Sequence, residues 1–383
     1  MGLLSTLFIL FEVSSLIFCD ELMQVNLLYR HGDRTPIYTY KDDPNVNKWD
    51  LPAGALTTIG MEQQFLQGQR LKKRYVGQLN FINGSYNPRE LYARSADTSR
   101  CIQSAGANLA ALYSGSVVHP NTPGWPSNWM PYPIHTYPSD SDTLCEEGSS
   151  SCQRIGLLES RRQRETPYVQ YLIKNQDFLN QLTQWSGGTV NDAGSINRLW
   201  DTLYCQRAHN MTMPSWATND VWNQLNEMFI YTDDYKDGLA VQQIGPNDNK
   251  ELLSLRSGEL LKQFISSMSD VVSNNGYWKF HVYSAHDSTI KALMRIYHNV
   301  KSVLGTNNPG YASHLVHELW KDTKGNYYIQ VLFSDNAYTE YRQITSTLDG
   351  CSSFPNGCPF NNFTTYYSSY IQADFWKQCA LTS

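Results

Sequence analysis

Residues 27–36 read Leu27-Leu28-Tyr29-Arg30-His31-Gly32-Asp33-Arg34-Thr35-Pro36. An apolar, β-favouring run that begins at Val25 stops at Tyr29, and Gly32 and Pro36 are chain breakers. The pattern predicts a strand whose exit loop carries Arg30, His31 and Arg34. In open α/β sheets ligands bind at that carboxyl end. Two arginines flanking a histidine suit an anion with several oxygens, because guanidinium offers a rigid fork of donors and imidazole can act as nucleophile or proton carrier. The plainer alternative is a surface turn with a solvated Asp33–Arg34 ion pair. It fits an isolated Arg-His pair better than it fits this whole run placed directly after a strand.

The order strand, charged turn, helix recurs twice. Glu90–Ala93 reads as a short strand, Arg94–Asp97 as a turn and Thr98–Leu112 as an Ala-rich helix. Trp278–Ala285 alternates as a strand, His286 and Asp287 stand at its end, and Ser288–Tyr297 continues as a helix capped by Ser288 or Thr289. A parallel sheet would bring all three turns to one edge, where helix N-termini add donors for an anion. There Arg30, Arg34 and Arg94 would set about three positive charges against a phosphate dianion. His31 could attack phosphorus in line, His286 would be a further ligand, and Asp287 could protonate the leaving oxygen and later assist water.

The run Arg30-His31-Gly32-x-Arg34-x-Pro36 resembles the signature of the histidine acid phosphatases, in the form found in the prostatic and lysosomal subgroup. The resemblance extends over nearly the whole chain after residue 20, through Tyr92–Asp97, Met213–Thr218 and Tyr283–Asp287. It implies phosphate monoester hydrolysis through a phosphohistidine at His31, with Asp287 as proton donor, Arg30, Arg34, Arg94 and His286 as phosphate ligands, and neither cofactor nor metal. A phytase of the same family and a secreted binding protein on a phosphatase fold are the competing functions. The resemblance also implies disulfides Cys351–Cys358 and Cys152–Cys379. Cys205 matches one partner of a third family bridge, but the other position is Ser313 or His314, so Cys101, Cys145 and Cys205 have no assigned mates. Trp129 and His135, in the segment Trp-Met-Pro-Tyr-Pro-Ile-His, match a subunit contact and imply a homodimer.

A chain of 383 residues exceeds the size at which one core usually splits. The expected architecture is α/β, a mostly parallel sheet flanked by helices with an inserted, mostly α-helical cap. Residues 1–19 are expected to be a signal peptide, 20–128 the first part of the core, 129–262 the cap and 263–383 the second part of the core. The net charge of −5 and the scarcity of basic blocks disfavour nucleic acid as a partner. The one basic run, Arg70 to Arg74, reads as a solvated helix end that complements the dipole. Asn83, Asn210 and Asn362 open glycosylation triplets, which with a leader point to a secreted or lumenal protein. No later segment is long and apolar enough to serve as a membrane anchor. His314 and His317 have neither zinc-protease spacing nor a shared strand face, and are expected to be core residues.

Overall fold

The computed structural model describes residues 20–127 and 129–381, so the leader expected over residues 1–19 lies outside the described residues. Seven strands are present among them: β1 (Glu21–Arg30), β2 (Leu91–Ser95), β3 (Phe280–Ala285), β4 (His314–Lys321), β5 (Tyr327–Ser334), β6 (Arg342–Gln343) and β7 (Cys358–Pro359). They form one sheet in the order β2-β3-β1-β4-β5-β6, with β7 also paired to β5. The helices that position the site are α1 (Thr58–Leu71), α2 (Ser99–Leu112), α3 (Gln153–Arg162), α4 (Thr166–Lys174), α5 (Gln176–Ser186), α6 (Ala193–Ala208), α7 (Asn219–Lys236), α8 (Lys250–Val272) and α9 (Asp287–Ile296).

The central strand β1 is buried on both faces, and its side chains divide with the period of two that a strand imposes. Val25, Leu27 and Tyr29 pack with Leu71 of α1 and Leu109 and Leu112 of α2. Leu28 packs on the other face with Leu260 and Phe264 of α8 and Leu293 of α9. Two helical layers therefore cover the sheet, as the α/β reading requires.

The sheet is mixed rather than mostly parallel. Parallel pairing is confined to β2, β3 and β1, while β4, β5, β6 and β7 all join antiparallel. The cause is local. The turn Asp322–Gly325 closes β4 and β5 into a hairpin, and a short hairpin can only be antiparallel. The half of the sheet that bears the three charged turns is the parallel half.

Helices α4–α7 share a core, with Phe178, Leu182, Leu199, Trp200 and Phe229 packed together, while Ile155 and Leu158 of α3 pack with Leu252 and Leu255 of α8. The helix α8 runs unbroken through residue 262, where the cap was expected to end. Cys152 bonds to Cys379 and Cys351 to Cys358, and the first of these pins the start of α3 to the C-terminal helix Phe375–Cys379.

The basic end of α1 is not the solvated face expected from sequence. Beyond Leu71 the helix widens into π-type turns over Lys72–Gln78. There Arg74 grips the Glu318 carboxylate with two bonds of 2.7 Å, and Tyr75 donates to it at 2.6 Å. Glu318 is fully buried on β4, and a buried carboxylate needs a cation beside it. Arg70 and Lys72 likewise reach across, to the Thr339 and Ser114 carbonyls.

Candidate active site

The parallel register sets Arg30 beside Ala285 and Ser95 beside Ser284, so β1, β2 and β3 end together at one edge. A cavity of about 270 Å³ opens there, lined by His31, Arg34, Arg100, His286 and Asp287 on the sheet side and by Trp200 and Phe229 of the cap. A larger hollow, about 760 Å³, lies at the opposite end of the sheet beside Asp20 and Asp322 and contains none of these groups.

The loop after β1 is held by close backbone approach. A Cβ on Gly32 would stand 2.1 Å from the Gly60 carbonyl oxygen, so only glycine lets the loop rest on the first turn of α1. Asp33 does not pair with Arg34. It accepts from the Thr57 hydroxyl at 2.5 Å and contacts His209 at 2.6 Å, which ties the loop to the cap.

His31 is oriented and kept neutral. Its Nδ1 lies 2.7 Å from the Gly32 carbonyl oxygen. Only a protonated Nδ1 can use that acceptor, which leaves the Nε2 lone pair free. Burial, reinforced by Arg30, Arg100, Arg34 and His286, holds the imidazole well below its usual range. Arg30 is fully buried, donates to the Pro309 carbonyl at 2.6 Å, stacks 4.3 Å from the Tyr311 ring and stands 3.4 Å from Asp287. Arg34 bonds to Asp201 at 2.6 Å. The Nε atoms of Arg30, Arg34 and Arg100 are buried and make no hydrogen bond among the described residues.

His286 caps α9, which begins one residue earlier than the sequence suggests. Asp287 is already helical, and the Thr289 hydroxyl accepts from the His286 backbone N–H at 3.4 Å. Burial pushes the Asp287 carboxyl upward, but Arg30, Arg34, His286 and a bond from Asn308 outweigh it and hold the group below the usual carboxylate range. The ionised form of Asp287 is thereby favoured.

Arg94 is not in the cavity, and Arg100 is. Arg94 belongs to β2 itself, and its side chain turns to the face of the sheet. There its guanidinium bonds to the buried Asp142 at 2.6 Å and lies 4.2 Å over the Tyr137 ring. Arg100 stands in the first turn of α2, past the strand end, where the backbone points it over the sheet edge. A cation in the first turn of a helix opposes the dipole and calls for another explanation. That signal in Thr98-Ser99-Arg100 was present in the sequence and was passed over in favour of Arg94.

A family model described as "Histidine phosphatase superfamily (branch 2)" matches residues 21–334. The chain belongs to this family. It is 33% identical over 391 residues to lysosomal acid phosphatase of Xenopus laevis, a match covering 100% of this chain and 84% of that one. With prostatic acid phosphatase of Homo sapiens it shares 32% over 385 residues, covering 100% and 94%. The phytase from Citrobacter braakii superposes with a TM-score of 0.66 at 16% identity, covering 94% of this chain and 100% of that chain, a likeness of fold.

In this branch 2 phosphatase chain the remaining expected residues take the following places. Asn83, Asn210 and Asn362 are exposed. Trp129 is 46% exposed and packs on Trp125, while His135 stacks on Tyr92 at 5.0 Å and pairs its backbone with Ala93 and Ser95 at the edge of the sheet. Cys101, Cys145 and Cys205 are free thiols, all buried. His314 bonds to Tyr341 and His317 to Tyr297, and burial pushes both imidazoles down to about 3. Among the described residues no group of three or more metal-ligating side chains is placed to hold an ion, and no helix is long and apolar enough to cross a membrane.

Proposed function

We propose that the chain is an acid phosphatase, secreted or lumenal, that hydrolyses phosphate monoesters to an alcohol and inorganic phosphate through a phosphohistidine at His31. The observation that carries this reading is the His31 imidazole, neutral in acid and fixed by Gly32, among the guanidinium groups of Arg30, Arg34 and Arg100. The cations bind the phosphate oxygens and stabilise the charge that spreads over them in transit. Nε2 of His31 forms the bond to phosphorus as the ester oxygen leaves, and Asp287 gives that oxygen its proton. Water then attacks the phosphohistidine, Asp287 takes the proton back, and phosphate departs. A bound phosphate adds negative charge beside Asp287 and raises its carboxyl again, so the proton is available at acid pH.

The cap, taken as residues 129–262, supplies the wall that meets the leaving group. Trp200 and Phe229 give that wall an aromatic part, and Glu146, Glu147 and Asp233 give it carboxyls. Such a wall suits a single phosphate on an apolar or aromatic alcohol and repels a polyanion such as phytate. Glycans on Asn83, Asn210 and Asn362, cleavage of residues 1–19, and a homodimer formed through Trp129 and the sheet edge at His135 belong to the same proposal.

The test is a rapid quench without acid after mixing with ³²P-labelled substrate. Label is expected on His31. Label on a serine or an aspartate, or full activity in His31→Ala, would overturn the mechanism.

A further inference from the structure

The Pro-rich excursion of the chain returns to the site at Asp142–Glu147, where a series of bonds leads from the sheet to the catalytic helix. Arg94 donates to Asp142 Oδ1 at 2.6 Å, and the same oxygen accepts from the backbone N–H groups of Leu144 and Cys145 at 2.9 and 3.0 Å. The Cys145 carbonyl accepts from the Thr289 hydroxyl at 2.8 Å, in the first turn of α9. The next residue, Glu146, lines the cavity. Its Oε1 is buried, makes no hydrogen bond among the described residues, and lies 3.6 Å from His286 Nε2. That is too long for a hydrogen bond and short enough for an ion pair.

The backbone beyond is strained in a way that fixes this aim. Glu147 has φ of 51°, and Gly148 follows at 73° with no room for a Cβ, which would stand 2.4 Å from the Leu255 carbonyl oxygen. A non-glycine residue in the left-handed region persists only where its surroundings hold it, and such residues gather at functional sites.

We infer that Glu146 is a positioning residue for the reaction: its carboxylate holds His286 as a cationic, oriented phosphate ligand, and the Arg94–Asp142 pair holds the loop that presents it. The groups facing His286 are Cys101 of α2, with its sulfur 3.8 Å from Nδ1, His31 at 5.7 Å between ring centroids, Glu146 on the loop, and Asp287 beside it on α9. Glu146 provides the negative partner from outside His286's own helix. In keeping with that geometry His286 is pushed up to about 10; burial acts downward, and Cys101 and Glu146 overcome it. Asp287 is engaged with Arg30 and Asn308.

A neutral His286 would have to lose a charge-assisted bond to phosphate as pH rises toward neutrality. Glu146, with Cys101, counters this, and Arg94 takes part at one remove, although it never touches phosphate. The inference rests on phosphate being the ligand of the cavity.

Inhibition by inorganic phosphate, measured across pH in wild type and Glu146→Gln, is the test. The variant should match wild type near about pH 5 and bind phosphate about tenfold more weakly near about pH 7.5. Arg94→Met should show the same pH pattern in smaller degree, and Arg94→Lys should restore it. Because a variant can lose its fold, His286 is also titrated in the wild type by ¹³C NMR of its Cε1, assigned through His286→Asn. It should remain cationic past about pH 8. A His286 that titrates near its ordinary value, or a Glu146→Gln effect that is absent or equal at every pH, overturns the inference. A wild type that neither binds phosphate nor hydrolyses nitrophenyl phosphate would overturn the phosphatase reading instead.

Discussion

Exchange of Arg100 for methionine removes the one cavity arginine that forms no ion pair among the described residues, whereas Arg34 shares its charge with Asp201 and Arg30 stands against Asp287. Its whole charge is therefore open to a phosphate. Loss of one donor aimed at developing charge costs about 2.7–4 kcal/mol, so kcat/KM for nitrophenyl phosphate should fall by about 10²–10³ in Arg100→Met. A second signature separates this from simple damage. Arg100 is among the cations that hold His31 below its usual range. Without it the imidazole protonates more readily, and because attack needs the neutral ring, the acid limb of the kcat/KM profile should move to higher pH. Arg94→Met is the control. It strands the buried Asp142, which lowers thermal stability, but near about pH 5 it should cost less than about tenfold in kcat/KM. Equal losses in the two variants, or an Arg100→Met enzyme with an unmoved acid limb, would refute the assignment of Arg100 to the phosphate site.

Replacing Asp287 by Asn keeps the shape and removes the transferable proton, so turnover of glycerol phosphate should fall by about 10²–10⁴ while nitrophenyl phosphate, whose phenoxide leaves with little help, suffers less; equal losses on both would show that Asp287 only positions its neighbours. Arg295→Met tests the buried bridge between cap and core, where Arg295 of α9 bonds to Asp237, which caps α7, and to Asp233 and Asp234 of α7 at 2.6, 2.7 and 2.9 Å. Removing one side of such a network costs about 3–5 kcal/mol, which denaturant titration would detect. Burial raises the Asp233 carboxyl, but Lys291, Arg295 and Lys236 carry it well below the usual range. Its contribution is thus present above the unfolded value of about 4 and lost only as pH falls through the lower folded value. The gap between wild type and variant should be widest at neutral pH and narrow in acid; a gap that widens in acid would contradict this.

The motif at residues 27–36 was legible because a strand, two breakers and three polar groups lie within ten positions, and local chemistry alone places them. The same holds for His286 and Asp287. Arg94 misled because sequence shows that an arginine is near a strand end but not whether it is in the strand or beyond it. One residue of register decides between the face of the sheet and its edge. Glu146 could not be read at all. It lies in a segment without periodicity, and its place depends on contacts to residues 94 and 289, far away in the chain. The mixed sheet was half legible: Asp322-Thr-Lys-Gly325 between two apolar, β-favouring runs spells a hairpin over β4 and β5, but that it joins β1 antiparallel is a tertiary fact.

The bond between Cys152 and Cys379 closes a covalent ring across 227 positions. His286 and Asp287 lie within that ring, and His31 and Arg100 lie before it. A single cut anywhere inside the ring leaves the pieces on one covalent body, so Asp287 cannot drift from the helices that hold it. A cut between residues 121 and 151 is different in kind. That stretch, rich in proline and serine, is the last before the ring begins, and severing it leaves His31 and Asp287 on separate chains held together by noncovalent contacts alone, among them the pairing of β1 with β3 and β4 and of β2 with β3.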